Sequence, residues 1–280
     1  MSNKKAYFFD LDGTLLQSDH SIGGQTRSAL LDLQKHAHVS LISARPLGSV
    51  LQIANDLGIT GLMGALNGAI IADTEGHIHK SVTISEKSVL DIVTYFEPLP
   101  MISLNFYSGR HWIITQQNHN AAQEARILRI QPDFIYHGDD LNTFIHKNPI
   151  EKILLIHDMD DAQAQNLIDQ WRIHHPDLNC AYSKQGYFEI TSPAADKGIA
   201  LRFIADYHQV PYGDTYAFGD GQVDIPLLIA SGYAIAMENA IPAVKAVAHH
   251  IIGHHDADAI AQWVTAQHLV DVKTMSRNSS

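Results

Sequence analysis

Short apolar runs alternate with helix-spaced patterns along the first part of the chain. Ala6-Tyr7-Phe8-Phe9 is a continuous apolar run, the pattern of a buried strand. Gln25 to Lys35 carries apolar residues at helical spacing, and Val39 to Ile42 is a second strand-like run. Pro46 to Leu57 predicts a helix with proline in its first turn and Gly58 just past its end. Leu62 to Leu66 and Ala69 to Ala72 read as strands around Asn67-Gly68. Strand and helix in alternation predict right-handed crossovers and a parallel sheet.

The texture changes near Thr83. A helix over Glu86 to Phe96 precedes strands at Ile102 to Tyr107 and Trp112 to Thr115, with Ser108-Gly109 as the hairpin turn between them. A helix near Ala121 to Leu128, a strand at Lys152 to His157, a helix at Ala162 to Ile173 and strands near Asn179 to Tyr182 and Tyr187 to Ile190 follow. The α/β texture resumes after Ser192, with a helix from Lys197 and a strand at Thr215 to Phe218. The α+β unit is therefore expected to interrupt the first domain rather than follow it. The expected fold is α/β, a Rossmann-like doubly wound parallel sheet with an inserted α+β cap. The core takes residues 1–82 and 191–272, the insert 83–190, and 273–280 form a frayed tail.

Chemistry concentrates where the first strand ends. Phe9 is followed by Asp10-Leu11-Asp12-Gly13-Thr14. In parallel sheets, ligands sit beyond the carboxyl ends of the strands. Residues i and i+2 of an extended backbone point the same way, so Asp10 and Asp12 can face one site. Gly13 permits a sharp turn and a close approach. Two carboxylates so close need a cation between them, a shared proton, or both. A hard cation such as Mg²⁺ fits better than zinc, because Cys180 is the only thiol. An EF-hand loop starting at Asp10 would need Gly and Glu where Leu15 and Ser21 stand, so that reading fails.

Composition narrows the partners. The 280 residues are 45% apolar, enough for a sizeable core. A net charge of −11 argues against general nucleic-acid or anionic-membrane binding. One cysteine suits a reducing compartment, and no apolar run reaches membrane-span length, so a soluble cytoplasmic protein is expected. The 18 histidines are scattered, and neighbouring doublets make poor ligand pairs.

Three further segments place polar groups at element ends. Leu41-Ile42-Ser43-Ala44-Arg45-Pro46 offers a hydroxyl and free N–H groups at a strand-to-helix turn, suited to an anion or to helix capping. Lys197 opens a helix, where its charge opposes the dipole and a phosphate would relieve the misfit. Phe218-Gly219-Asp220-Gly221-Gln222-Val223-Asp224 ends a strand with two carboxylates.

These four segments in this order resemble the haloacid dehalogenase superfamily. The insert between the Ser43 and Lys197 segments resembles the large α/β (type IIB) cap of its Cof-type phosphatases. The resemblance implies that Asp10 is a nucleophile forming an aspartyl phosphate and Asp12 a general acid and base. It implies Mg²⁺ ligands at Asp10, the Asp12 carbonyl and Asp220, with Asp224 as ligand or support. It also implies phosphate contacts from Ser43, Lys197 and the N–H groups of Leu11 and Ala44. The substrate implied is a small phosphorylated metabolite; sugar phosphates, flavin mononucleotide and pyridoxal phosphate all stay open. A phosphomutase of the same superfamily and a non-catalytic binding protein are the alternatives. Two positions depart from the pattern: Val223 replaces an Asn, and Ala44 a Gly. Asn239, after a later strand, is a candidate for shaping the site. Tyr107, Arg110, His111 and Trp112, at or near the hairpin turn, are candidates for touching substrate.

Overall fold

A computed structural model describes residues 4–267. The tail expected at 273–280 lies outside the described residues. The chain opens with β1 (Ala6–Phe9), α1 (Gly24–Leu33), β2 (His38–Leu41) and α2 (Leu47–Leu57). β1 is buried along its whole length, as a continuous apolar run requires. Gly58 ends α2 in the left-handed conformation at φ 70, where glycine carries no Cβ penalty.

Next come β3 (Leu62–Ala65), β4 (Ile70–Asp73) and β5 (Ile78–Ser81). They differ from the expected parallel continuation. The turn at Asn67-Gly68 folds β3 and β4 into an antiparallel hairpin, and these three strands form a sheet of their own. A bridge from Ile42 to Gly64 and a bond from the Ser43 N–H to the Gly64 carbonyl at 3.0 Å join it to the end of β2. β5 has no apolar pattern because most of its side chains are exposed.

The α+β unit follows. Its elements are α3 (Glu86–Phe96), β6 (Ile102–Ser108), β7 (His111–Ile114), α4 (His119–Leu128), β8 (Phe134–Ile135), α5 (Gly138–Lys147), β9 (Lys152–His157), α6 (Asp161–Arg172), β10 (Asn179–Lys184) and β11 (Tyr187–Thr191). The strands join in the order β10-β11-β9-β6-β7-β8. Sequence reasoning passed over α5, whose GDDLNTFIHK buries only Leu141 and Ile145. Alternation along the strands sends side chains to two different cores. Leu104, Phe106, Ile153, Leu155, Phe188 and Ile190 pack with α3, α5 and α6. Tyr107, Trp112, Ile114, Leu154, Ile156 and Tyr187 share a cluster with Leu47, Val50 and Leu51 of α2. The second face of this sheet therefore lies on the first domain.

The chain then returns through α7 (Lys197–Tyr207), β12 (Thr215–Gly219), α8 (Ile225–Ile229), β13 (Tyr233–Ala236), α9 (Pro242–Val247) and β14 (His250–Ile251), and residues 259–267 are helical. The parallel sheet runs β14-β13-β12-β1-β2. The architecture is α/β with a Rossmann-like parallel core and an inserted α+β unit. Among the described residues, no helix is long and apolar enough to cross a membrane.

One close approach tests this packing. Gly68 sits at φ +88, and a Cβ there would lie 2.5 Å from the Asp196 carbonyl oxygen. Gly68→Ala is expected to destabilise the protein by about 2 kcal/mol in urea unfolding, through both backbone strain and contact. An unchanged midpoint would show that the hairpin relaxes freely away from α7.

Candidate active site

The sheet order places the site. From β1 the chain moves outward to β2 on one side, and later to β12, β13 and β14 on the other. The direction reverses at β1, and the carboxyl ends of β1 and β12 frame the crevice where such folds bind ligands. Asp10 follows β1, and its N–H donates to the Phe218 carbonyl at 3.1 Å. Asp220 follows β12. The turn after Asp10 winds about the Leu11 carbonyl, which accepts from Thr14, Leu15 and Leu16 at 3.3, 3.0 and 2.8 Å. Gly13, at φ +78, packs against the Asp220 carboxylate with no room for a Cβ.

Lys197 is the electrostatic centre. Asp196 caps α7, its Oδ1 accepting from the Gly198 and Ile199 N–H groups at 2.7 and 2.9 Å. Lys197, only 1% exposed, donates to Asp10 Oδ1 at 2.5 Å and to Asp224 Oδ1 at 2.6 Å. Burial disfavours its charge, but the two carboxylates outweigh burial and hold its pKa above the usual range. The misfit expected at this helix start is thus relieved by carboxylates of the chain itself, not by a phosphate.

Asp224 is committed on both oxygens. Its Oδ2 accepts from the Asp220 and Gly221 N–H groups at 3.0 and 2.9 Å. Thr14 Oγ1 donates to Asp220 Oδ1 at 2.9 Å. Asn239 Nδ2 donates to the Gly13 carbonyl at 2.7 Å and lies 3.4 Å from Asp220 Oδ2, so Asn239 ties the two strand-end loops together. Burial, followed by the Asp224 charge, raises the Asp10 pKa well above the usual carboxylate range against the pull of Lys197. Burial likewise pushes Asp220 up to about 6.

Asp12 takes different partners. β1 ends at Phe9, so Asp10 to Asp12 lie in a turn, where the two-residue strand period does not apply. Arg45 grips Asp12 through two bonds, Nε to Oδ2 at 2.7 Å and Nη2 to Oδ1 at 2.6 Å. Burial acts to raise the Asp12 pKa, but the Arg45 bonds and charge outweigh it and hold Asp12 below its ordinary value. His20 Nδ1 lies 3.5 Å from Asp12 Oδ1. The Asp12 side chain is 47% exposed, while Arg45 is buried. Arg45 also donates to the Ile127 carbonyl at 3.0 Å, and Arg129 donates to the His20 carbonyl at 3.0 Å. The α4 end of the insert therefore reaches the surroundings of Asp12.

Ser43 and Ala44 lie between β2 and α2. Ser43 Oγ accepts from the Arg45 N–H at 3.2 Å. It does not cap α2: Pro46 holds the cap position and makes no side-chain bond there. Val223 is 43% exposed, so no pocket has closed around it. Tyr107 and Trp112 are buried rather than part of a solvated turn, and Trp112 Nε1 donates to Asn105 Oδ1 at 3.1 Å. His111 lies 3.7 Å from Asp133.

Asp10, Asp220 and Asp224 offer oxygens all within 4.8 Å of one another, a group able to hold a divalent metal. The donors are oxygens, and burial, followed by the neighbouring Asp224 charge, leaves Asp10 with a raised pKa that Lys197 does not cancel. Cys180 is buried among residues of the insert, its thiol pushed up to about 11 by burial.

With this geometry in place, comparison with known proteins is direct. The haloacid dehalogenase-like hydrolase model matches residues 7–264. The chain belongs to the haloacid dehalogenase-like hydrolase family. Phosphatase YwpJ of Bacillus subtilis is 27% identical, over 93% of this chain and 98% of its own. An HMP-PP phosphatase of Cronobacter sakazakii is 26% identical, over 92% and 93%. Among solved structures, a Thermotoga maritima protein superposes with TM-score 0.84 at 25% identity, covering 94% of this chain and 97% of that one. A subclass IIB sugar phosphatase of the superfamily shares the fold at TM-score 0.77 and 20% identity, covering 94% and 98%. By family and relatives the chain is a phosphatase, and it shares the fold of the subclass IIB neighbour across the inserted unit.

A divalent metal held by Asp220 and Asp10 would compete with protons for the same oxygens. Without metal, a folded pKa of about 6 against 3.8 means that Asp220 withdraws stability as pH rises through about 6. A bound divalent cation offsets that loss. Saturating Mg²⁺ is expected to raise Tm more at about pH 7.5 than at about pH 5.5. Equal increments at the two pH values would show that these carboxylates do not bind it.

Proposed function

We propose that this phosphatase is a Mg²⁺-dependent phosphomonoester hydrolase of small phosphorylated metabolites, working through an aspartyl phosphate on Asp10. The observation that carries the reading is the placement of Asp10. It is buried at the switch-point strand end, bonded to Lys197, grouped with Asp220, and two residues from a half-exposed Asp12. Asp10, Asp220 and the Asp12 backbone carbonyl would hold Mg²⁺, with Asp224 as support. Bound there, the ion would offset the negative charge of the carboxylates and of the transferring phosphoryl group.

The chain's own groups divide the remaining work. Lys197 holds the Asp10 carboxylate in place. Ser43, with the N–H groups of Leu11 and Ala44, receives the phosphate oxygens. An Asp10 oxygen attacks phosphorus, the ester P–O bond breaks, and the leaving oxygen takes a proton from Asp12. Asp12 then takes a proton from water, whose oxygen attacks the phosphorus, releasing orthophosphate and restoring Asp10. Paired with Arg45, Asp12 is a carboxylate, the form the second step needs. The first step needs it protonated, so the Asp12–Arg45 pair must open when substrate binds.

Substrates named for relatives and neighbours, HMP-PP and sugar phosphates, support the substrate class. A lone buried cysteine is in keeping with a reducing cytoplasm. Asp10→Asn keeps an acceptor oxygen for Lys197 but removes one of its charges; it should still fold, less stably than the wild type, and lose turnover of an aryl phosphate by a factor on the order of 10³ or more. A folded variant with near-normal kcat would sink the mechanism.

The insert, residues 83–190, serves in this reading as the lid that contacts the leaving group and excludes water. Replacing it with a short linker should keep Mg²⁺ binding, flatten the preference among phosphorylated metabolites and lower kcat/KM on the best one. An unchanged profile of relative kcat/KM in a folded, metal-binding core would refute that assignment.

A further inference from the structure

On the face that the insert turns toward the core lies one buried ion pair, Lys152 with Glu189 at 2.8 Å. Strand register puts it there. Lys152 stands opposite Tyr107 on β6 and opposite Thr191 on β11, and Glu189 is two residues from Thr191. The pair is thus a diagonal cross-strand contact on the side carrying Tyr107, Leu154 and Ile156. The Lys152 side chain is only 5% exposed. A buried ammonium needs partners on all sides, and one of them lies outside the insert: Lys152 Nζ donates to the Ala44 carbonyl at 3.3 Å.

Glu189 reaches the core as well. Its Oε2 accepts from Asn67 Nδ2 at 3.4 Å. Asn67 in turn donates its backbone N–H to the Ser43 carbonyl at 2.9 Å, and Leu66 donates to the Arg45 carbonyl at 3.0 Å. Leu66 and Asn67 both hold positive φ, 52 and 58. For a leucine this is a strained conformation that persists only when surroundings enforce it. The ion pair therefore touches the 43–45 loop at Ala44 directly and at Ser43 through Asn67.

We propose that Lys152 and Glu189 are positioning residues that set the phosphate-receiving loop at Ser43 and Ala44. The inference rests on the reading of that loop given above. The pair acts through the loop backbone and does not touch the leaving group. Its effect is therefore uniform across substrates and extends to orthophosphate, which has no leaving group.

The test replaces both partners, Lys152→Met with Glu189→Gln, so that no unpaired charge is left buried. Calorimetric titration with inorganic phosphate, in the presence of Mg²⁺, is expected to show Kd rising about tenfold. kcat/KM should fall by a similar factor for an aryl phosphate and a sugar phosphate alike. The Mg²⁺ activation constant should not move. Unchanged phosphate affinity, or losses confined to one substrate, overturns the proposal; the second result would make the pair a leaving-group contact. If the double variant fails to fold, Glu189→Gln alone should weaken orthophosphate binding roughly threefold, and no weakening counts against the proposal. A wild type that binds orthophosphate but hydrolyses nothing refutes the proposed reaction and leaves this comparison readable. A wild type that binds no orthophosphate removes the loop's role and this inference with it.

Discussion

A single buried ammonium organises the catalytic side of this molecule. Lys197 cannot stay charged inside the protein unless both its carboxylate partners are present. Those partners come from different places: Asp10 from the end of β1, Asp224 from the loop after β12, and the lysine itself from the first turn of α7. Satisfying one charge therefore fixes three elements against one another. Removing one carboxylate from such a buried pair typically costs 3–5 kcal/mol, roughly. The remaining oxygen of Asp224 then holds the Asp220 loop by its own N–H groups, so the same charge also sets where Asp220 stands.

The inserted unit is tied to this centre at a few polar points. Ile127 and Arg129, near the end of α4, reach Arg45 and the His20 carbonyl, and Lys152 with Glu189 reaches Ala44 and Asn67. Each core residue in that set neighbours a group with a proposed chemical role. Arg45 is the most exposed to conflicting demands. It satisfies Asp12 on one side and an insert carbonyl on the other. A movement of the insert that broke the Ile127 bond would leave Arg45 freer to leave Asp12. In the proposed reading, one guanidinium thereby joins the insert to the acid–base carboxylate.

Much of this was legible in the sequence, for identifiable reasons. β1, β12 and α7 are strongly patterned, and the polar groups that follow or open them are adjacent in sequence, so Asp10, Asp220, Asp224 and Lys197 stand out. The hairpin of β3 and β4 was misread as part of the parallel sheet because short apolar runs carry no sign of strand direction; Asn67-Gly68 was the available signal. The role of Arg45 is not legible in its own segment, since its partner Asp12 lies 33 positions away. Thr14 is hidden for the same reason, its partner Asp220 lying 206 positions away. Tyr107 and Trp112 were placed near a turn correctly, but alternation along β6 and β7 buries them. Lys152 and Glu189 could have been found by that alternation: each falls on a buried face of its strand, and a charge there demands a partner.

The charge balance of the crevice explains why a metal belongs to the reading at all. Asp10, Asp12, Asp220 and Asp224 bring four carboxylates together, against the two cations Lys197 and Arg45. A phosphate monoester adds close to two further negative charges at neutral pH. Burial, with the Asp224 charge adding to it, already raises the pKa values of Asp10 and Asp220 before any substrate arrives. Backbone N–H groups and Ser43 can orient phosphate oxygens, but their partial charges cannot balance a dianion beside a carboxylate nucleophile. Only an added divalent cation, or protonation of the very carboxylates the reaction needs, restores balance. Protonation would remove the nucleophile. The arrangement therefore selects the cation, and selects one content with oxygen ligands.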